Sequence, residues 1–118
     1  MKKEYEKLNT RLKEQMQTDL NFDIVVKPLL VQGIHMSLYF VDGFAKDEIL
    51  EKMMEFLLKA DIKECVETQD IQTFCDSWLS YLEVDVQPDF AAMITSVLSG
   101  SVLMIVEGYE EGIVIDAR

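Results

Sequence analysis

The sequence predicts an α/β (α+β) fold: helices packed on a mixed β-sheet built from two hairpins, in a single small domain. Three observations carry this prediction. Two apolar stretches, PLLVQGIHMSLYFV and SVLMIVEGYEEGIVIDA, each read as a pair of strands interrupted by a glycine-containing turn. Between them, apolar residues recur at three and four, the spacing of one helical face. The chain has 118 residues, 49% hydrophobic, with only 5 Gly and 2 Pro. At that size folding buries roughly two-thirds of the unfolded surface, enough for one core.

Each element follows in order. Residues 2–18 are rich in Lys, Glu, Gln and Leu, and Tyr5, Leu8, Leu12 and Met16 form a narrow stripe on a solvated helix that is free to dock or to project. The predicted organisation is therefore an N-terminal solvated helix over 1–21 and an α/β domain over 22–118. From Phe22 the chain turns apolar. Gln32-Gly33 joins the first two strands, Asp42-Gly43 marks the turn after the second, and Pro28 places the first at an edge or a bulge.

Asp47 to Lys59 is the clearest helix, with a broad apolar face that includes Leu50, Met53, Met54 and Leu57. Asp47 and Glu48 sit at the positive end of its dipole and Lys59 at the negative end. A second helix is predicted from about Asp70 to Tyr81, through Ile71, Phe74, Cys75, Trp78, Leu79 and Leu82. Tyr81 to Val86 either ends it or forms a short strand. Phe90 to Val106 is seventeen residues without a charge, the lower limit for a membrane-spanning helix. It resolves better as two elements: a helix with Pro88 at its start and Gly100 just past its end, then a strand from Ser101. GIVIDA supplies the last strand, with Gly108 and Gly112 bracketing the turn. That strand runs into Arg118 with nothing after it to cap it, so the sequence is expected to be a piece of a longer protein.

Charge excludes several functions. Lys and Arg number 11 against 22 Asp and Glu, a net charge of −11 that disfavours nucleic acid or anionic lipid as a partner. Residues 1–59 are nearly balanced at −1, whereas residues 60–118 carry −10, an acidic surface suited to basic partners. The N-terminus is charged throughout and lacks the apolar core of a signal peptide. Cys65 and Cys75 lack CxxC spacing and His35 is the single histidine, an inventory from which no zinc site can be assembled. Two thiols in such a domain point to a reducing compartment and to a packing role.

No glycine-rich phosphate loop occurs, and Glu110 and Glu111 in the last turn would repel a phosphate. Glu107, Glu110, Glu111 and Asp116 cluster in sequence around the second hairpin, yet without the spacing of a calcium loop they read as a solvated acidic rim. His35, Ser37 and Tyr39 share one face of a strand, but a Ser and a His two apart on a strand rarely aim at each other as a catalytic pair requires. Trp78, Tyr81, Tyr109 and the seven methionines read as core before they read as a ligand pocket. No catalytic residue, metal or other cofactor is expected. Read from the residues alone, this is a non-enzymatic module with an acidic face.

The pairing of LYFVDGFAKDEILEKMMEFL (Leu38 to Leu57) with VLSGSVLMIVEGYEEGIVIDAR (Val97 to Arg118) resembles the amino-terminal region of the GerA family of spore germination proteins. The shared features are a strand ending Tyr39-x-Val41-Asp42-Gly43, the Asp47–Leu58 helix, a Leu98-Ser99-Gly100 step into a strand, and a final Gly108 and Ile115-x-x-Arg118 segment. The likeness spans about 22–118 and is loose over 59–87. It implies a non-enzymatic assembly or signal-relay domain of a spore inner-membrane protein, lying on the cytoplasmic (spore core) side. The implied partners are germinant receptor subunits and the dipicolinic acid channel proteins. Asp42 and Gly43, as a strand-end turn, and Glu110 and Glu111, as contacts, are the candidate interaction residues. A sensor for a small, germinant-like molecule and a free cytoplasmic adaptor stay open beside this reading.

Overall fold

A computed structural model of the chain describes residues 2–17, 23–43, 47–59, 61–78 and 83–116. Its order is α1 (Lys2–Met16), β1 (Ile24–Val31), β2 (Ile34–Val41), α2 (Asp47–Lys59), α3 (Ile62–Thr68), α4 (Ile71–Trp78), β3 (Glu83–Gln87), α5 (Phe90–Leu98), β4 (Val102–Val106) and β5 (Gly112–Asp116). The five strands form one sheet in the order β1-β2-β4-β5-β3.

The α+β fold is the predicted one, with a correction to the sheet: every neighbouring pair is antiparallel, so it is not mixed. The reason lies in the β3–α5–β4 connection. That unit carries β3 and β4 in the same direction, as a helical crossover does, but β5 inserts between them and pairs antiparallel with both. Both predicted hairpins are present. At Gln32 and Gly33 the backbone has φ of 54° and 83°, the doubly left-handed turn that matches strand twist. β1 is an edge strand, which accommodates Pro28, and β4 is central and buried along its whole length.

Helices cover both faces of the sheet. Alternation along the strands sends Ile34, Met36, Leu38, Met104, Val106 and Ile113 towards α2, α3 and α4, where they meet Met53, Leu57, Ile62 and Phe74. The other face carries Tyr39, Leu103 and Ile105 against Leu12 and Met16 of α1 and Met93 and Val97 of α5. α1 therefore docks.

α2 and α5 occupy the segments their periodicity predicts. Asp89 caps α5, its side chain accepting the Ala92 N–H at 2.9 Å. The predicted Asp70–Tyr81 helix runs over Ile71–Trp78, with the Asp70 carboxylate accepting the Thr73 N–H at 2.8 Å. The Tyr81–Val86 ambiguity resolves as β3. Leu79, Tyr81, Leu82, Phe22 and Arg118, and the side chain of Trp78, lie outside the described residues. α3 is an addition to the sequence reading. Asp61 at its N-cap and Ile62, Cys65 and Val66 at three and four were its local signals, compressed into seven residues. Among the described residues no helix is long and apolar enough to cross a membrane, and Phe90–Val106 divides between α5 and β4.

Candidate functional site

The strand register separates the predicted interaction residues. Val41 pairs with Ile24 at one end of the sheet, and Asp42 and Gly43 follow it there, exposed, with the Asp42 N–H bonded to the Asp23 carbonyl at 2.7 Å. Gly43 has φ +87°, a conformation costly for any residue with a Cβ. Met36 pairs with Val106 at the other end, so Glu110 and Glu111 stand in the β4–β5 turn beside the β1–β2 turn. Asp116, grouped with them in sequence, lies at the far end of β5 opposite Glu83.

The β4–β5 turn is a braced structure. The Tyr109 hydroxyl reaches the carbonyls of Cys65 at 3.3 Å and Gln69 at 3.0 Å, at the C-terminal end of α3. Its ring stacks obliquely on Phe74, centroids 5.6 Å apart. Burial pushes the Tyr109 hydroxyl up to about 12, so it stays protonated and keeps donating at any physiological pH. On the other side of the turn, Glu107 is buried. Its Oε1 accepts the His35 N–H at 3.1 Å and its own N–H donates to the His35 carbonyl at 2.9 Å, extending the β2–β4 ladder by one side-chain rung. A turn held at both shoulders presents Glu110 to solvent in a defined position, with Glu111 half-buried beside it.

The strand face bearing His35, Ser37 and Tyr39 lies under α1. The Tyr39 hydroxyl donates to Asn9 Oδ1, the Asn9 amide donates to the Tyr5 carbonyl at 2.8 Å, and Tyr5 and Ser37 share a hydroxyl–hydroxyl hydrogen bond. The Tyr5 and His35 rings lie 6.1 Å apart. Ser37 is thus engaged with Tyr5, and the arrangement fixes α1 on the sheet. Desolvation raises the hydroxyls of Tyr5 and Tyr39, which keeps both neutral. Sequence reasoning placed Tyr5 on the apolar stripe but missed its hydrogen bond and missed Asn9; the signal was two polar-capable side chains four apart on one side of an otherwise charged helix.

Between the start of α1 and the braced turn lies a groove of about 470 Å³, walled by Tyr5, Leu8, Tyr109, Gly108, Glu4 and Glu110. It is open and acid-rimmed. Cys65 and Cys75 are buried, in the packing role expected, and burial pushes the Cys75 thiol up to about 11. Among the described residues no three His, Cys, Asp or Glu side chains are grouped so as to hold a metal ion.

Comparison with known proteins adds two findings. The family described as Bacillus/Clostridium GerA spore germination protein matches residues 10–118. The fold is similar to the crystal structure of the N-terminal domain of the A subunit of the Bacillus megaterium spore germinant receptor GerK3, with a TM-score of 0.66 at 13% identity over 95% of this chain and 90% of that one. No curated protein sequence matches the chain.

Proposed function

We propose, from the premise that this chain belongs to the GerA family of spore germination proteins, that its part in germination is that of a non-enzymatic assembly and signal-relay domain of a membrane protein. The braced β4–β5 turn carries this reading. Tyr109 and Glu107 spend their hydrogen bonds on holding a two-glutamate tip still, which lowers the entropy lost when a partner engages it. The partners are other germination proteins, germinant receptor subunits and the dipicolinic acid channel proteins, with the domain on the spore-core face of the inner membrane. Asp42 and Gly43 form a second, separate contact turn at the opposite end of the sheet. Binding at either end would relay a signal by favouring one of two states of the membrane portion.

The test is charge reversal in the full-length protein in spores. Glu110→Lys with Glu111→Lys is expected to leave the protein's abundance unchanged while reducing both its co-purification with receptor and channel subunits and the rate of germination. Unchanged co-purification and germination would remove the tip from the reading. The groove beside Tyr5 and Tyr109 supports a second reading, a sensor for a small polar molecule. Such a ligand would raise the melting temperature by an amount that keeps growing with the logarithm of its concentration above Kd, and amino acids, sugars and dipicolinate are the compounds to screen.

A further inference from the structure

The groove between α1 and the β4–β5 turn is lined in a way that selects its occupant. Two tyrosines stand in its walls, and both have committed their hydroxyls to the protein. That of Tyr5 is engaged with Ser37 of β2, and that of Tyr109 with the carbonyls of Cys65 and Gln69 at the end of α3. What remains on offer are the rings, each half-buried, with Leu8 adding to the apolar lining. The charged residues among the described walls are Glu4 and Glu110, both exposed and both acidic. Further carboxylates stand behind the rings. Besides desolvation, the charge of Glu107 opposes ionisation of Tyr5, and the charges of Asp70 and Glu111 oppose that of Tyr109. The potential over the groove is therefore negative, and the electron-rich face of a tyrosine ring adds to it. Among the described walls no side chain is left to donate a hydrogen bond to an anion.

We propose that this groove binds an organic ammonium ion with an apolar body, the cation between the Glu4 and Glu110 carboxylates and the body against the rings of Tyr5 and Tyr109. The proposal rests on the sensor reading of the groove and names the ligand class for it. An alkyl or aryl body covers the surface of Leu8 and the two rings, while the ammonium N–H groups find carboxylate acceptors. A space of about 470 Å³ is ample for a small molecule of this kind. A dianion such as dipicolinate meets acceptors and negative ring faces, and a sugar gains nothing from the field, so a cation is favoured over both.

The test compares 2-phenylethylammonium, 2-phenylethanol and 3-phenylpropanoate, probes that share one aromatic body and carry a positive, a neutral and a negative head group. Each is titrated into the 118-residue chain and followed through the amide resonances of isotope-labelled protein. The ammonium should shift the resonances of Tyr5, Leu8 and Gly108 to Glu110, with a Kd in the millimolar range expected of so few atoms. It should bind roughly fivefold more tightly than the alcohol, the yield of a cation–π contact and a weak ion pair, and the carboxylate should bind more weakly than either. Glu110→Gln should reduce the ammonium's advantage over the alcohol about two- to fivefold, and because Glu110 is exposed that variant keeps the fold. Tyr5→Leu should weaken binding of the ammonium and the alcohol alike. Alcohol or carboxylate binding at these residues as tightly as the ammonium would overturn the proposal and leave the groove a sensor of another ligand. Ammonium shifts confined to other parts of the chain, or an undiminished advantage in Glu110→Gln, would overturn it as well. If neither these probes nor amino acids, sugars and dipicolinate bind in the groove, the sensor reading itself fails and the proposal with it.

Discussion

Replacing Gly112 with alanine tests the packing beneath the β4–β5 turn. A Cβ built at Gly112 would lie 2.8 Å from Leu103 Cδ1 and 3.3 Å from both Ile105 Cδ1 and Met93 Sδ. Carbon atoms prefer roughly 3.5–4.0 Å, so the closest contact must open by about an ångström. Leu103 and Ile105 are fully enclosed and Met93 nearly so, so the leucine methyl can move aside only by repacking its buried neighbours. Overpacking of this kind costs about 1–3 kcal/mol. Against it, alanine restricts the unfolded chain and returns about 0.4–1 kcal/mol, since Gly112 does not adopt a positive φ. The expected net loss for Gly112→Ala is about 1–2 kcal/mol. In urea unfolding followed by circular dichroism, with a slope of roughly 2 kcal/mol per molar, the midpoint should fall by about 0.5–1 M. Shortening the clashing side chain in Gly112→Ala/Leu103→Val should cost less than the sum of the two single losses. An alanine variant as stable as the parent, or strictly additive losses in the double variant, would refute the close approach.

Three further outcomes follow from the polar contacts. Tyr39→Phe leaves the buried Asn9 Oδ1 without its donor and should cost about 1–3 kcal/mol, whereas Tyr39→Phe/Asn9→Leu removes both partners and should recover part of that loss in the same unfolding assay. Asp89→Ala deletes the α5 cap and should cost about 1 kcal/mol, with Asp89→Ser recovering most of it. Tyr5, Tyr39 and Tyr109 all hold their protons above the unfolded value of 10.0. Above pH 10 the unfolded chain therefore binds fewer protons than the folded one, so stability should be insensitive to these groups below pH 10 and decline as pH rises towards 12. In a Tyr81→Phe background, which leaves only these three tyrosines, tyrosinate absorbance at 295 nm appearing before any loss of ellipticity would contradict that order.

What the sequence made legible were features decided within a few residues. Gln32-Gly33 needs only its own left-handed geometry, α2 only its apolar face and terminal charges, and α5 only its apolar spacing, Pro88 and the step at Gly100. The α+β architecture followed from those parts. The direction of neighbouring strands did not, because the insertion of β5 between β3 and β4 is a property of the whole sheet. The site was less legible for the same reason. Tyr109 finds its acceptors at Cys65 and Gln69, some forty residues away, and Tyr39 finds Asn9 thirty residues back on a helix whose docking only tertiary packing decides. Asp42-Gly43 and Glu110-Glu111 were each visible as turns, but their placement at opposite ends of the sheet depends on the β2–β4 register.

The insertion of β5 has a consequence for the order in which the chain can be built. Among the described residues β3 pairs only with β5, so residues 83–87 leave the ribosome some twenty-five residues before their partner exists. During that interval β4 has β2 on one side and an open edge on the other. A nascent chain stopped before Gly112 would expose that edge, with apolar side chains on both of its faces, to any neighbouring strand. Truncations removing residues 112–116 should therefore aggregate, whereas among the described residues the five-stranded sheet has as its edges β1, interrupted by Pro28, and β3, which carries exposed Glu83 and Asp85.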